Sequence, residues 1–101
     1  MHKLESIADQ IRKNFDARTA ARDQALTQAR QLTRACSLAI RAVHRDDTES
    51  MQAQLLEAQS LADTLRSSLT AYPDLFHAGY TQDALKEFVE ANVTCALINS
   101  Q

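Results

Sequence analysis

The chain has 101 residues, room for one domain or part of a larger one. Hydrophobic residues make up 45% and charged residues 24%, an ordinary globular mix, but one Gly and one Pro are too few for the turns of a sheet, so all-β and α/β folds are excluded. The formal net charge of −2 argues against nucleic-acid binding on totals alone, yet it is split: residues 1–45 hold nine Lys/Arg against four acids (+5), and residues 46–101 hold two against nine (−7).

Between Leu4 and Val43 there is no Pro or Gly, and apolar residues recur at Leu4, Ile7, Ile11 and Phe15 and again at Ala25, Ala29, Leu32, Cys36, Ala39 and Val43. This 3–4 spacing predicts one long helix over about 4–44. Arg18 and Arg22 fall on the seam, so a bend or break is expected around residues 16–23. A helix of that length reaches roughly 60 Å, too long for a self-contained globule, and points to assembly. The break at His44–Glu49 offers Asp47 or Thr48 as N-cap of a helix over about 49–71, with Met51, Leu55, Ala58, Ala62, Leu65 and Leu69 on one face. Pro73 ends it and opens a short turn of helix over about 73–78. Gly79 marks a joint, Thr81 is the expected cap of a last helix over about 81–98, and Leu85, Phe88, Val89 and Ala96 are expected to face the core. The expected architecture is all-α: long antiparallel helices in one helical domain, completed by oligomerisation. No run approaches the ~18 apolar residues of a membrane span, and the N-terminus has no apolar signal segment. Cys36 and Cys95, distant from one another, read as buried thiols of a reducing cytosol. The expected location is cytoplasmic, with no membrane partner.

The nucleotide-binding glycine loops, HExxH, CxxC and GxSxG are all missing from the sequence, which removes most familiar enzyme classes and leaves carboxylates. Asp83, Glu87 and Glu90 follow i, i+4, i+7 spacing and fall within about 60° of one another on a helix. Such a stripe repels itself; it is either a solvated face, neutralised by Lys86 and Arg66, or a ligand set for Mg²⁺ or Mn²⁺. Arg30, Arg34, Arg41 and Arg45 form a ridge roughly 22 Å long, suited either to a phosphate backbone or to pairing with acids of neighbouring helices. His77, between Phe76 and Tyr80, is either packed in the joint or a stacking platform for a single strand.

Three segments, Arg30–Arg45 (RQLTRACSLAIRAVHR), Leu55–Leu65 (LLEAQSLADTL) and Tyr72–Ala91 (YPDLFHAGYTQDALKEFVEA), stand in an order that resembles the translin family, which includes translin and translin-associated factor X. The resemblance runs through most of residues 20–98. It implies an all-α fold of about seven helices, assembled into hollow rings or barrels that bind single-stranded RNA and DNA. In the factor-X branch it implies a metal-dependent endoribonuclease with a Glu pair in an E-Y-V-E segment and an Asp and a Glu on a later helix. Glu87-Phe88-Val89-Glu90 matches the first pair, with Phe for Tyr, so the resemblance implies Mg²⁺ or Mn²⁺ held by Glu87 and Glu90; Asp83 is added from spacing. The family chain is about twice as long, so these residues read as its N-terminal half, active as a homo-oligomer or with a chain that supplies the missing half. A non-catalytic nucleic-acid-binding ring and a purely structural helical assembly module are the competing expectations.

Overall fold

The computed structural model describes residues 2–101: α1 (His2–His44), α2 (Thr48–Ser68), α3 (Pro73–Phe76) and α4 (Gly79–Asn99). Among the described residues there is no strand, and no helix is long and apolar enough to cross a membrane. The molecule is a rod of 71 × 19 × 15 Å, because α1 alone is 43 residues, about 64 Å of helix.

The expected bend is not there: α1 runs unbroken through residues 16–23. With neither Pro nor Gly to open the backbone, Arg18 and Arg22 interrupt only the apolar stripe. What changes there is the surroundings. Residues 2–20 are exposed throughout, whereas from Ala25 onward α1 is buried by α2 and α4. Arg18 marks the border, where its guanidinium pairs with Asp74 of α3. This pairing raises the Arg18 pKa and holds Asp74 below the usual carboxylate range, in both cases chiefly through the side-chain hydrogen bond.

Each joint is built from named hydrogen bonds. After α1, Asp46 takes a left-handed φ of 60°, a region Asp tolerates better than most residues. The Asp47 amide reaches back to the Ala42 carbonyl at 2.9 Å and that of Asp46 to Val43 at 3.2 Å, which closes the helix end with the paired bonds of a Schellman motif. Asp47 then caps α2: its Oδ1 accepts the Ser50 amide at 3.1 Å, and this bond lowers its pKa. The stabilisation is present above the ordinary Asp range and fades as pH falls through the folded-state value. Pro73 occupies the first turn of α3, where its missing N–H costs nothing.

Thr81 is not the cap that its position predicts. Helix α4 begins two residues earlier, at Gly79, with Ala78 as N-cap. Thr81 is fully buried, and its hydroxyl donates to the Leu75 carbonyl at 2.9 Å, while the Gln82 amide donates to Phe76 at 2.7 Å. Both bonds end on carbonyls in the last turn of α3, and so fix the start of α4 against it.

The core is rich in alanine: Ala25, Ala29, Ala35, Ala58, Ala62, Ala84 and Ala91 bring the helices close, and Leu32, Leu65, Leu69 and Phe88 fill the space between. A second cluster of Ala39, Ala42, Val43, Met51 and Cys95 seals the far end. Both cysteines are buried free thiols. Two core assignments fail. Val89 is 57% exposed and Ala96 is exposed, because the buried face of α4 follows Ala84, Phe88, Ala91 and Cys95, and these two sit beyond its edge. Leu32 is fully buried at the centre of three helices, so Leu32→Ala lowers the unfolding free energy by about 2–5 kcal/mol, read by urea titration.

Candidate nucleic-acid interface and acidic groove

Helix α1 is the axis of the bundle; α2 and α4 both lie along it, leaving seams on its two flanks. The α1–α4 seam gathers most of the charged residues singled out in the sequence. At its lower end a cleft of about 440 Å³ has an apolar floor of Leu26, Ala29 and Ala84, with Arg30, Arg34, Tyr80 and Asp83 around it. Further up, Cys36, Ser37 and Ile40 of α1 face Glu87 and Glu90 of α4 across a groove of about 230 Å³. On the outer side Asp83, Lys86, Glu87 and Glu90 share a shallow hollow of about 210 Å³. The i, i+4, i+7 spacing of the carboxylates therefore has the consequence expected of it: all three stand on one edge of α4.

The arginines divide. Arg30, Arg34 and Arg41 are exposed, and among the described residues none is within ion-pair distance of an acid. Among the described residues the ion pair from α1 to another helix, Arg18–Asp74, lies outside the ridge. Arg45 lies past the end of α1, in the turn, with its guanidinium 3.7 Å from Asp47, so the ridge has three members on the helix rather than four. Arg34 also borders the α1–α2 seam, beside Gln54 and Glu57. His77 is exposed at the end of α3, its ring edge-on to Phe76 at 5.1 Å. It belongs to the joint and lines none of the three hollows of the α1–α4 seam.

The donor chemistry fits a hard divalent cation in one particular way. Glu87 and Glu90 offer carboxylate oxygens to one groove, and Mg²⁺ is commonly held by one or two carboxylates with water and phosphate completing its shell. Asp83 shares the outer hollow with both glutamates but does not line the groove that faces Ser37. Lys86 Nζ lies 4.0 Å from Glu90 Oε1, a weak surface contact that a dication would displace.

The sequence did not mark Ser37, Thr33 or Tyr80 as neighbours of the charged residues; only the packing of α4 on α1 does so. The Tyr80 hydroxyl is buried and has no hydrogen-bond partner among the described residues. Cys36, behind the carboxylates, is a further case. Burial pushes its thiol up to about 11, and the negative charge of Glu87 adds to this. A thiol that ionises later in the folded chain than in the unfolded one contributes stability that is intact below about pH 9 and is lost as pH rises toward 11. Alkylation of Cys36 by iodoacetamide at pH 8 is accordingly slow in the folded chain and fast in urea, and Glu87→Gln speeds the folded-state reaction; mass spectrometry of the Cys36 peptide reads both.

Comparison with family models, with curated proteins and with solved structures gives no match.

Proposed function

We propose that this chain binds single-stranded nucleic acid, RNA foremost, along the α1–α4 seam, and that Glu87 and Glu90 take part there in Mg²⁺- or Mn²⁺-dependent endoribonuclease chemistry. One observation carries the reading: Arg30 and Arg34, which have no acid partner among the described residues, border the same seam as a pair of carboxylates. The resemblance of residues 30–45, 55–65 and 72–91 to the translin family supports it, as does the all-helical build. In this reading the bundle is a translin-like unit that homo-oligomerises, and the second acidic pair comes from another helix, on a partner chain or a C-terminal half.

The residues divide the work by chemistry. Arg30, Arg34 and Arg41 bind phosphates and set the path of the strand. The apolar floor at Leu26, Ala29 and Ala84 accepts the face of a base, and the Tyr80 ring stands beside it. Glu87 and Glu90 would hold the cation, one turn along α4 from the cleft that Arg34 borders. When bound, the ion supplies Lewis acidity at a phosphodiester under attack. Ser37, across the groove, donates a hydrogen bond to the strand or its water.

The second reading is a ring that binds the strand without cutting it, with Glu90 kept by Lys86, whose Nζ lies 4.0 Å from its Oε1. One experiment separates the two. A short fluorescein-labelled single-stranded RNA is titrated with the chain at several salt concentrations, in Mg²⁺ and in EDTA, and the products are run on a denaturing gel. The nuclease reading expects binding in both media, a log–log salt slope near roughly −2 for three phosphate contacts on a single strand, and cleavage in Mg²⁺ only. Binding with intact RNA in Mg²⁺ selects the second reading, and no salt-sensitive binding defeats both.

A further inference from the structure

We infer, resting on the strand binding proposed above, that the cleft between α1 and α2 is a second base-reading site, which takes an adenine of the strand while the neighbouring base lies in the α1–α4 cleft. The α1–α2 cleft has a volume of about 260 Å³. Its floor is apolar: Ala35 is buried, and Leu38 and Leu61 are half-buried. Gln31 and Arg34, three apart on α1, form one wall, and Gln54 and Glu57, three apart on α2, form the other. Among the described residues none of these four side chains makes a hydrogen bond or an ion pair. One turn earlier in α1 the same seam is closed, where Gln28 is buried and its Oε1 accepts the Ser68 hydroxyl at 2.9 Å. The seam thus opens where its polar groups are uncommitted.

The pattern of donors and acceptors selects the base. The N6 amino group of adenine carries two hydrogens, and the α2 wall offers two acceptors for them, the Glu57 carboxylate and Gln54 Oε1. Gln54 Nε2 is a donor for the ring nitrogen beside that amino group, which is the pairing by which an amide side chain reads adenine. Uracil presents a carbonyl oxygen where adenine has its amino group, and the Glu57 carboxylate repels it. A purine also covers more of the apolar floor than a pyrimidine does.

Arg34 links the two sites, because it borders both clefts. Around α1, Gln31 and Leu38 lie about 40–60° to one side of it, and Arg30 and Thr33 about 40–100° to the other. A phosphate on this crest has its two nucleosides on opposite slopes, one toward Leu26, Ala29 and Ala84 and the other toward Ala35, Leu38 and Leu61. The α1–α2 cleft has no part in the carboxylate chemistry, since neither Glu87 nor Glu90 lines it.

Affinities of the full chain for oligoadenylate and oligouridylate of equal length, read by fluorescence anisotropy at one salt concentration, test it. Oligoadenylate is expected to bind about 10-fold more tightly. Gln54→Met and Glu57→Gln each bring the ratio to within about two-fold, while the melting transition stays, because neither side chain is bonded within the chain. Adenosine 5′-monophosphate shifts the side-chain NH₂ signal of Gln54 in the amide spectrum, and uridine 5′-monophosphate leaves it in place. Salt-sensitive binding of both strands with equal affinity, a preference for oligoadenylate that survives both substitutions, or a Gln54 signal that the two nucleotides move alike overturns the adenine site and leaves strand binding standing. Binding of neither strand overturns the strand reading and this site with it.

Discussion

Glu87→Gln and Glu90→Gln each lower metal-dependent cleavage of single-stranded RNA by about 100- to 1,000-fold, the loss expected when several kcal/mol of charge stabilisation at the phosphate disappears. Both side chains are exposed on α4, and the amide keeps the shape and volume of the carboxylate, so the bundle and its melting transition stay as they are. Affinity for the RNA in EDTA stays level or rises slightly, since removing a negative charge beside the strand removes a repulsion. Mn²⁺ binding, read from the electron paramagnetic resonance signal of the free ion, weakens in each variant by about 10-fold or more, an outcome independent of turnover. Asp83→Asn has the smaller effect, because Asp83 shares the outer hollow with Glu87 and Glu90 but not the groove facing Ser37.

Replacing Arg30, Arg34 and Arg41 together by Gln lowers RNA affinity by about 10- to 50-fold at low salt and flattens the log–log salt slope by about 2. The two readouts belong together. Phosphate contacts release counterions, so a loss of affinity without a change of slope would assign these arginines to something other than the backbone. Arg45→Gln serves as the comparison: its guanidinium is turned toward Asp47, and it moves neither readout by more than about two-fold. The same measurements speak to the helical assembly module without nucleic acid, for which the parent and all five variants are alike.

Helix positions were plain from the sequence because a chain with one Gly and one Pro has few ways to stop a helix, and the 3–4 spacing marked the buried faces of α2 and of α1 from Ala25 onward, while the same spacing at Leu4, Ile7, Ile11 and Phe15 lies exposed. Where the reading failed, tertiary context decided. The gap in the apolar stripe at Arg18 and Arg22 looked like a break in α1, but it is the place where the bundle ends and the bare arm begins. Thr81 has the chemistry of a cap, but its hydroxyl is turned inward to the Leu75 carbonyl of a different helix. Val89 is apolar, yet it sits about 100° around α4 from Phe88, beyond the edge of the buried face.

The site was legible to a similar depth. Spacing alone placed Asp83, Glu87 and Glu90 on one edge of α4 and Arg30, Arg34 and Arg41 on one face of α1. It could not say that Arg30 and Arg34 border the same seam as the carboxylates, because that depends on the rotation of α4 against α1, which Ala29, Cys36, Ala84 and Phe88 set through packing. Nor could it separate Arg45 from the ridge, since its pairing with Asp47 arises from the turn at Asp46.

The most direct measurement of the central idea, that cation and strand meet in one seam, is the amide spectrum of the isotope-labelled chain with substoichiometric Mn²⁺, before and after addition of single-stranded RNA. The expected result is paramagnetic broadening confined to residues 83–90 and 36–40, with RNA-dependent shifts at residues 26–34 and 80–84 on the same flank. Broadening centred on Asp46 and Asp47, or RNA shifts on the opposite α1–α2 side alone, would contradict it.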